Sequence, residues 1–153
     1  RDGSYLVFDD LARTTQRDLW VAPLDGDRKP ALYLSTPFNE TYGAISPDGH
    51  WMLYLSDESG RSEMYVQSFP VPRSKIRVTT DGAGFGTWRD DGAEILYVSQ
   101  RGMMSVPVRS GPSFEPGEPT LLIPLPKQTV ATGFTPDPSL PTWMRHRTPG
   151  SLV

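Results

Sequence analysis

Few residues of this 153-residue chain have the types and spacing that catalysis requires. Histidine, the side chain that titrates closest to neutral pH, occurs twice, as His50 and His146. His50 follows an Asp-Gly pair, where a solvent-facing turn residue is expected, and His146 lies in a C-terminal stretch without periodicity. Ser46 precedes a proline, and no G-x-S-x-G motif surrounds it. The sequence therefore predicts no catalytic residues, no enzyme activity and no cofactor.

Carboxylates that could bind Ca²⁺ occur in two short segments, Asp25-Gly26-Asp27 and Asp57-Glu58. A calcium site needs about six to eight oxygen ligands, and neither segment supplies them. The chain contains no cysteine, which excludes thiolate metal sites and disulfides, and no pair of His or carboxylates has the spacing of a zinc site. We interpret both acidic segments as ordinary turns and predict no metal site.

Charged and aromatic side chains outside these segments are candidates for ligand binding. Arg1 and Arg89 precede Asp-Gly turns, where each could pair with a nearby carboxylate or bind an anionic ligand, and pairing is the favoured interpretation. Loops on a rigid scaffold commonly carry binding residues. The predicted ligand-binding residues are Asp57, Glu58, Arg61, Asp81, Phe85 and Arg89. Whether they meet depends on the elements that carry them.

Those elements repeat along the chain. Asp-Gly pairs occur at 2–3, 48–49 and 91–92, so that the glycines are 46 and 43 residues apart. Three short alternating segments follow each pair, and a fourth precedes the next pair, at 41–46 and at 85–89. Four antiparallel strands in a repeat of roughly 40–50 residues are typical of one β-propeller blade. The sequence therefore predicts an all-β propeller segment of three four-stranded blades over residues 1–125, with no helix longer than two turns.

Side-chain patterns fit strands that pack between neighbouring blades. Both faces of residues 51–55 are apolar, as expected for a sheet covered on both sides. Small residues in the predicted inner strands suit a crowded centre; they are Gly43, Ala44, Gly84 and Gly86. The aromatic residues are interpreted as core between blades rather than as a ligand platform; they are Trp51, Tyr54, Tyr65, Trp88, Tyr97 and, at the register of Tyr65, Trp20.

Residues 46–72, SPDGHWMLYLSDESGRSEMYVQSFPVP, resemble the blade pattern of the TolB-like, WD-repeat-like propeller family. Residues 88–119 are similar to the terminal blades of propellers attached to bacterial serine/threonine kinases. The resemblance covers residues 1–125. It implies a bacterial, non-catalytic module for protein–protein interaction or ligand sensing. The alternative that it leaves open is a regulatory or gating propeller of a larger enzyme, either a kinase or a prolyl-oligopeptidase-type peptidase. It implies no choice between a cytoplasmic and an extracytoplasmic location.

Assembly follows from the number of blades, because the family closes with about six or seven and this chain supplies three. The first repeat begins at its Asp-Gly turn and lacks an inner strand, whereas 130–135 (VATGFT) could be an extra inner strand within 126–135. We predict a homodimer that closes a six-bladed ring, in which 130–135 of one copy completes the first blade of the other. Residues 136–153 are expected to be irregular and poorly ordered rather than an arm that packs on a partner.

An open stack of three blades would leave apolar residues bare on its faces, among them Tyr5, Val7, Leu96 and Val98. The simpler alternative to a dimer is that the chain is an excised piece of a longer polypeptide. Its start, without an initiator Met or a signal peptide, is expected of such a piece.

Charge and hydropathy exclude two classes of partner. The net charge is −3 and the isoelectric point is near 5.3, so that no basic field for nucleic acid is expected. No apolar run approaches the roughly 20 residues of a membrane span. A second copy of the chain or another protein is therefore the predicted partner.

Overall fold

The computed structural model describes residues 4–11 and 16–125, and every helix or strand in these ranges is a β-strand. The first sheet contains β1 (Tyr5–Leu11), β2 (Arg17–Pro23) and β3 (Ala31–Leu34). The second contains β4 (Glu40–Ile45), β5 (Trp51–Ser56), β6 (Glu63–Ser68) and β7 (Lys75–Arg77). The third contains β8 (Gly86–Trp88), β9 (Glu94–Ser99), β10 (Gly102–Arg109), β11 (Glu115–Pro116) and β12 (Thr120–Pro124). The predicted all-β content is confirmed for these residues.

Each sheet is antiparallel and follows the order of its strands along the chain. The first has the order β1-β2-β3 and the second the order β4-β5-β6-β7. In the third, β8, β9 and β10 follow one another, and both β11 and β12 pair with β10. The second and third sheets thus begin with the strands that the sequence placed at 41–46 and 85–89.

Two turns show why the Asp-Gly pairs recur. Gly49 and Gly92 have φ angles of 75° and 72°, which glycine adopts without strain. Each preceding aspartate accepts a hydrogen bond from a backbone N–H two residues on, at 3.1 Å for Asp48 and 3.0 Å for Asp91. The predicted hairpins are therefore present at 48–49 and 91–92. The pair at 2–3 lies outside the described residues, as do 126–135, 136–153 and His146.

The antiparallel order places alternate connections at opposite ends of the strands, and we use the word edge for each of these two ends of the stack. We call the edge that carries residues 57–62, 78–85 and 100–101 the loop edge. We call the edge that carries 46–50, 69–74 and 89–93 the turn edge. All six predicted ligand-binding residues lie in the turns and loops at these two edges.

The three sheets stack face to face, and the second lies between the other two. All six residues of β5 are buried, as predicted for a strand covered on both sides. One core cluster joins the first and second sheets and contains Leu19, Tyr33, Met52, Tyr54, Tyr65 and Phe69. The other joins the second and third and includes Leu53, Leu55, Met64, Val66, Trp88, Ile95, Tyr97, Met104 and Val106.

Hydrogen bonds also cross between sheets. The Tyr33 hydroxyl donates to the carbonyl of Ser68 at 2.8 Å, and Trp88 Nε1 donates to the carbonyl of Ala44 at 3.0 Å. These bonds satisfy polar groups of large aromatic residues that would otherwise be buried without partners.

The predicted aromatic core is found, with one exception. Trp51, Tyr54, Tyr65, Trp88 and Tyr97 are all buried. Trp20, which was expected to match Tyr65, is half-buried and outside both clusters. It stacks on Phe8 at 6.5 Å between ring centroids. The reason is that its face of the first sheet has no neighbouring sheet among the described residues.

The prediction that four apolar residues are left uncovered on the sheet faces is wrong in part. Val7 is not bare, because it packs towards the second sheet. Tyr5 is 43% exposed but meets the Phe69 ring edge-on at 5.2 Å. Leu96 and Val98 are half-buried, on the face of the third sheet that points away from the second.

Glycines at the inner strands permit the close approach of the sheets. A Cβ added at Gly43 would lie 2.6 Å from Val7 Cγ1 and 3.2 Å from Leu19 Cδ2, both in the first sheet. A Cβ added at Gly86 would lie 2.4 Å from Met64 Cε, in the second sheet. Gly43 and Gly86 therefore receive large side chains from the preceding sheet.

Substituting Gly43 tests this packing. We expect Gly43→Ala to lower the free energy of unfolding by about 1–3 kcal/mol, because the new methyl group overlaps Val7 and Leu19. Gly111→Ala is the matched control, since no atom lies within 4 Å of the added Cβ there. In a Val7→Ala background the same Gly43 substitution should destabilise less. Equal losses in both backgrounds, measured by urea denaturation, would contradict the proposed contact.

Candidate functional site

Five of the six predicted ligand-binding residues lie at the loop edge. Asp57, Glu58 and Arg61 belong to the connection between β5 and β6, and Asp81 and Phe85 to the connection between β7 and β8. Arg89 lies at the opposite, turn edge, between β8 and β9. The structure therefore brings together two loops of the predicted set and separates the sixth residue from them.

Arg89 pairs with carboxylates of its own hairpin. Its Nη2 lies 2.6 Å from Asp91 Oδ2 and its Nη1 lies 2.7 Å from Glu94 Oε1. The hydrogen bond from Arg89 lowers the pKa of Asp91 to about 2. Of the two interpretations of Arg89, the geometry matches pairing with nearby carboxylates.

Asp57 and Glu58 have partners within the chain as well. The Asp57 carboxylate accepts two hydrogen bonds from Asn39, one from Nδ2 at 2.7 Å and one from the backbone N–H of Asn39 at 2.9 Å. These bonds lower the pKa of Asp57. Glu58 lies 2.6 Å from Lys75 Nζ, which also sits 5.5 Å from the centre of the Tyr65 ring. Asp57 thus ties two loops together and Glu58 ties a loop to β7, which fits their interpretation as turn residues.

Two of the other three residues, Arg61 and Asp81, border a cleft at the loop edge between the second and third sheets. Arg61 and Asp81 lie 4.0 Å apart across its rim. A cavity of about 490 Å³ there is lined by Arg61, Asp81, Tyr97, Gln100, Arg101 and Glu118, among others. Phe85, on the same loop as Asp81, is 61% exposed. The loop edge therefore presents an exposed aromatic ring and, in the cleft, charges of both signs.

Arg101 was not predicted and is available for binding. Its backbone N–H donates to Ser99 Oγ at 3.0 Å. Within residues 4–11 and 16–125, its guanidinium group has no ion pair or hydrogen-bond acceptor. No signal in the sequence distinguishes it from other surface arginines, because its position beside Arg61 arises from the stacking of two sheets.

A buried carboxylate, also missed from the sequence, holds the loop edge of the second sheet. Glu63 at the start of β6 has no exposed surface. It accepts hydrogen bonds from Arg61 Nε at 2.8 Å, Thr79 Oγ1 at 2.5 Å and Gly82 N at 3.0 Å. Arg77 Nη2 donates a fourth bond at 3.1 Å. Burial by itself raises the pKa of Glu63, but these four bonds outweigh burial and hold the pKa below its ordinary value.

The same network fixes Arg61. Besides Glu63, this guanidinium group donates to the carbonyl of Thr80. The Arg-x-Glu spacing of 61 and 63 was a signal that sequence reasoning could have used, since residues two apart in an extended chain share a face. The contributions of Arg77 and Thr79 could not be read in this way, because they come from the neighbouring strand β7 and its loop.

A second buried carboxylate is poorly satisfied. Glu40, at the start of β4, is 1% exposed, and its Oε1 accepts from Thr36 Oγ1 at 2.5 Å and from Ser56 Oγ at 3.4 Å. Its Oε2 has no hydrogen-bond partner among the described residues. Burial, and to a lesser degree the charge of Asp18, raises the pKa of Glu40. The two buried glutamates of the second sheet therefore respond to pH in opposite directions.

Ser46 and His50, the residues considered for catalysis that the structure describes, both lie at the turn edge. His50 is exposed at the turn edge, and the hydroxyl of Ser46 donates to Asp48 Oδ1 at 2.5 Å within the turn. Residues 4–11 and 16–125 contain no group of three or more His, Cys, Asp or Glu residues placed to hold a metal ion. Over the same ranges, no helix has the length and apolar character needed to cross a membrane.

No protein-family model matches this chain, and no curated protein does either. Among solved structures, the chain is similar to TolB from Acinetobacter baumannii, with a TM-score of 0.57 and 21% sequence identity. The similarity covers 80% of this chain, which spans 30% of the length of that TolB chain. At this level of identity the likeness shows the fold alone: three antiparallel sheets arranged as in a TolB-like β-propeller.

The Glu63 network predicts acid sensitivity. A carboxylate whose folded-state pKa is lowered stabilises the fold above its unfolded-state pKa, near 4.5, and this stabilisation is lost as the pH falls through the folded-state value. We expect Glu63→Gln to lower the free energy of unfolding by about 3 kcal/mol at pH 7. The difference from the parent should shrink below pH 4.5, as measured by denaturation at several pH values. A loss that does not change with pH would contradict the account.

Glu40 predicts the opposite trend. A raised folded-state pKa means that the contribution of Glu40 is fully present below its unfolded-state pKa, near 4.5, and is lost as the pH rises through the folded-state value. We therefore expect Glu40→Gln to gain stability relative to the parent as the pH rises from 4 to 8. The Glu63→Gln chain is the control, since its difference changes in the opposite sense. Parallel curves for the parent and Glu40→Gln would refute this assignment.

Proposed function

We propose that this chain is a non-catalytic β-propeller module for protein–protein interaction, in which the three sheets are three consecutive blades. The observation that carries the proposal is the loop edge, where an exposed Phe85 and the cleft residues Arg61 and Arg101 are held on a scaffold of buried strands. Loops of this kind can bind without disturbing the fold, because the covered sheets fix their ends.

A protein fits this surface better than a small ligand does. The cleft at the loop edge is open, and it carries Asp81 and Glu118 as well as the two arginines. Aromatic residues and arginine are the types most enriched at the energetic centres of protein interfaces. We propose that Phe85 is the apolar anchor and that Arg101, which has no acceptor in the described chain, binds a carboxylate of the partner.

Non-catalytic action is part of the proposal. It is supported by the exposure of His50 and by the engagement of the Ser46 hydroxyl within its own turn, which leaves no nucleophile–base pair in the described residues. A peptidase or phosphate-hydrolysing activity that co-purifies with the chain would overturn this part of the proposal.

We also propose that two copies of the chain close a six-bladed ring. In support, β1 pairs with β2 on one side, and no described strand occupies its other side. In the second and third sheets that position is filled by β4 and β8. Residues 130–135 of the partner copy would pair with β1 in this arrangement. A dimer that survives deletion of residues 128–153 would contradict the strand exchange.

The loop-edge surface predicts selective loss of a partner. Phe85→Ser should reduce partner capture at least about 10-fold, since truncation of an aromatic anchor at the centre of an interface removes most of the binding energy. Val71→Ser is the matched control, because Val71 is 53% exposed but lies at the turn edge. The measurement is affinity capture by the immobilised chain from a lysate of the source organism, with quantitative mass spectrometry. Equal capture by both variants would contradict the assignment of the loop edge.

A further inference from the structure

The two contacts between neighbouring sheets, which we call joints, show the same packing pattern. We call the face of a sheet that points towards the preceding sheet its incoming face, and the opposite face its outgoing face. At the first joint, Val7 and Leu19 of the outgoing face approach Gly43. At the second joint, Met64 of the outgoing face approaches Gly86. Each outgoing face therefore directs large aliphatic side chains towards the inner strand that follows.

The incoming faces also share one pattern, a large cross-strand pair in direct register. In the second sheet this pair is Tyr54 and Tyr65, whose rings stack at 5.9 Å. In the third sheet the equivalent pair is Tyr97 and Met104. All four residues are buried against the sheet that precedes them.

The first sheet carries an equivalent pair on a face that no other described sheet covers. Phe8 and Trp20 are in direct register and stack at 6.5 Å. Leu6, one alternation away, is 52% exposed, and Leu32, which pairs with Trp20, is 50% exposed. This incoming face of the first sheet has the chemistry of the two covered ones but no described neighbour.

The outgoing face of the third sheet also has no neighbouring sheet among the described residues. Val98 and Met103 are in direct register, as Leu55 and Met64 are in the second sheet. Met64 is 1% exposed, whereas Met103 is half-buried and its other cross-strand neighbour, Ile123, is 61% exposed. Met103 is therefore the third member of the series Leu19, Met64, Met103, and the one whose receiving sheet is absent from the described residues.

We infer that the outgoing face of the third sheet, formed by Leu96, Val98, Met103 and Ile123, packs on the incoming face of the first sheet of a second copy, formed by Leu6, Phe8, Trp20 and Leu32. This inference rests on the proposed homodimer and specifies how its two copies meet. The two faces lie at opposite ends of the described stack, with the second sheet between them, so that within the described residues neither face covers the other. Two copies placed head to tail would form two identical joints and cover all four free faces.

Charge substitutions on the full chain test the joint. The parent is expected to have twice the 17.0 kDa chain mass in sedimentation equilibrium at micromolar concentration. Met103→Glu and Trp20→Lys should each raise the dissociation constant at least 100-fold, because each places a charge among the large apolar side chains of the joint. Val71→Glu, at an exposed site away from both faces, should leave the mass unchanged. Ile123→Glu provides a second variant at a more exposed position, should Met103→Glu not fold.

Mixing the variants distinguishes the head-to-tail arrangement from contact between identical faces. A Met103→Glu chain and a Trp20→Lys chain should form a heterodimer, since one joint then keeps both native faces and the other brings Glu opposite Lys. Failure of the mixture to recover a dimer would overturn the inference. So would a parent that is monomeric, or a Met103→Glu chain that dimerises like the parent. Partner capture through Phe85 is measured separately, so that loss of the joint and loss of the proposed interaction surface can be told apart.

Discussion

The packing of one sheet against the next is the interaction on which the rest of this structure depends. Packed sheets lie about 10 Å apart, and the inner strands come closer because Gly43 and Gly86 leave room for side chains of the preceding sheet. The approach buries every residue of β5 and positions the loops of neighbouring sheets side by side. The loop-edge cleft exists because two sheets are held in this relation, since its lining residues come from both.

Two buried glutamates at the loop edge hold its loops and strands together. Glu63 joins a loop arginine, a loop backbone N–H and two residues at or just after β7, so that the rim of the cleft is held from within the second sheet. Glu40 is buried at the same edge with one oxygen unpaired. The surroundings thus stabilise the anionic form of Glu63 and destabilise the anionic form of Glu40. The pH dependence of stability therefore probes each glutamate of the loop edge separately.

Much of the fold follows from local sequence signals, and the site follows from them only in part. Asp-Gly pairs and alternating segments predict the strands, because turn geometry and side-chain alternation are properties of neighbouring residues. The Glu63 network and the position of Arg101 depend on which strands and sheets become neighbours. Trp20 shows the same limit: its register matches that of Tyr65, yet its burial depends on a sheet that the described residues do not include. Arg89 was grouped with the loop residues although the strand order places it at the other edge.

Cross-linking between the two free faces tests the central claim most directly. The chain has no cysteine, so Leu6→Cys and Met103→Cys can be combined in one chain and treated with a bismaleimide of about 10 Å span, the usual distance between packed sheets. If the sheets continue head to tail between two copies, the product is a covalent dimer that carries two cross-links, with no larger species. A product that stays at the mass of one chain, or that extends into a ladder of polymers, would contradict the closed two-copy arrangement.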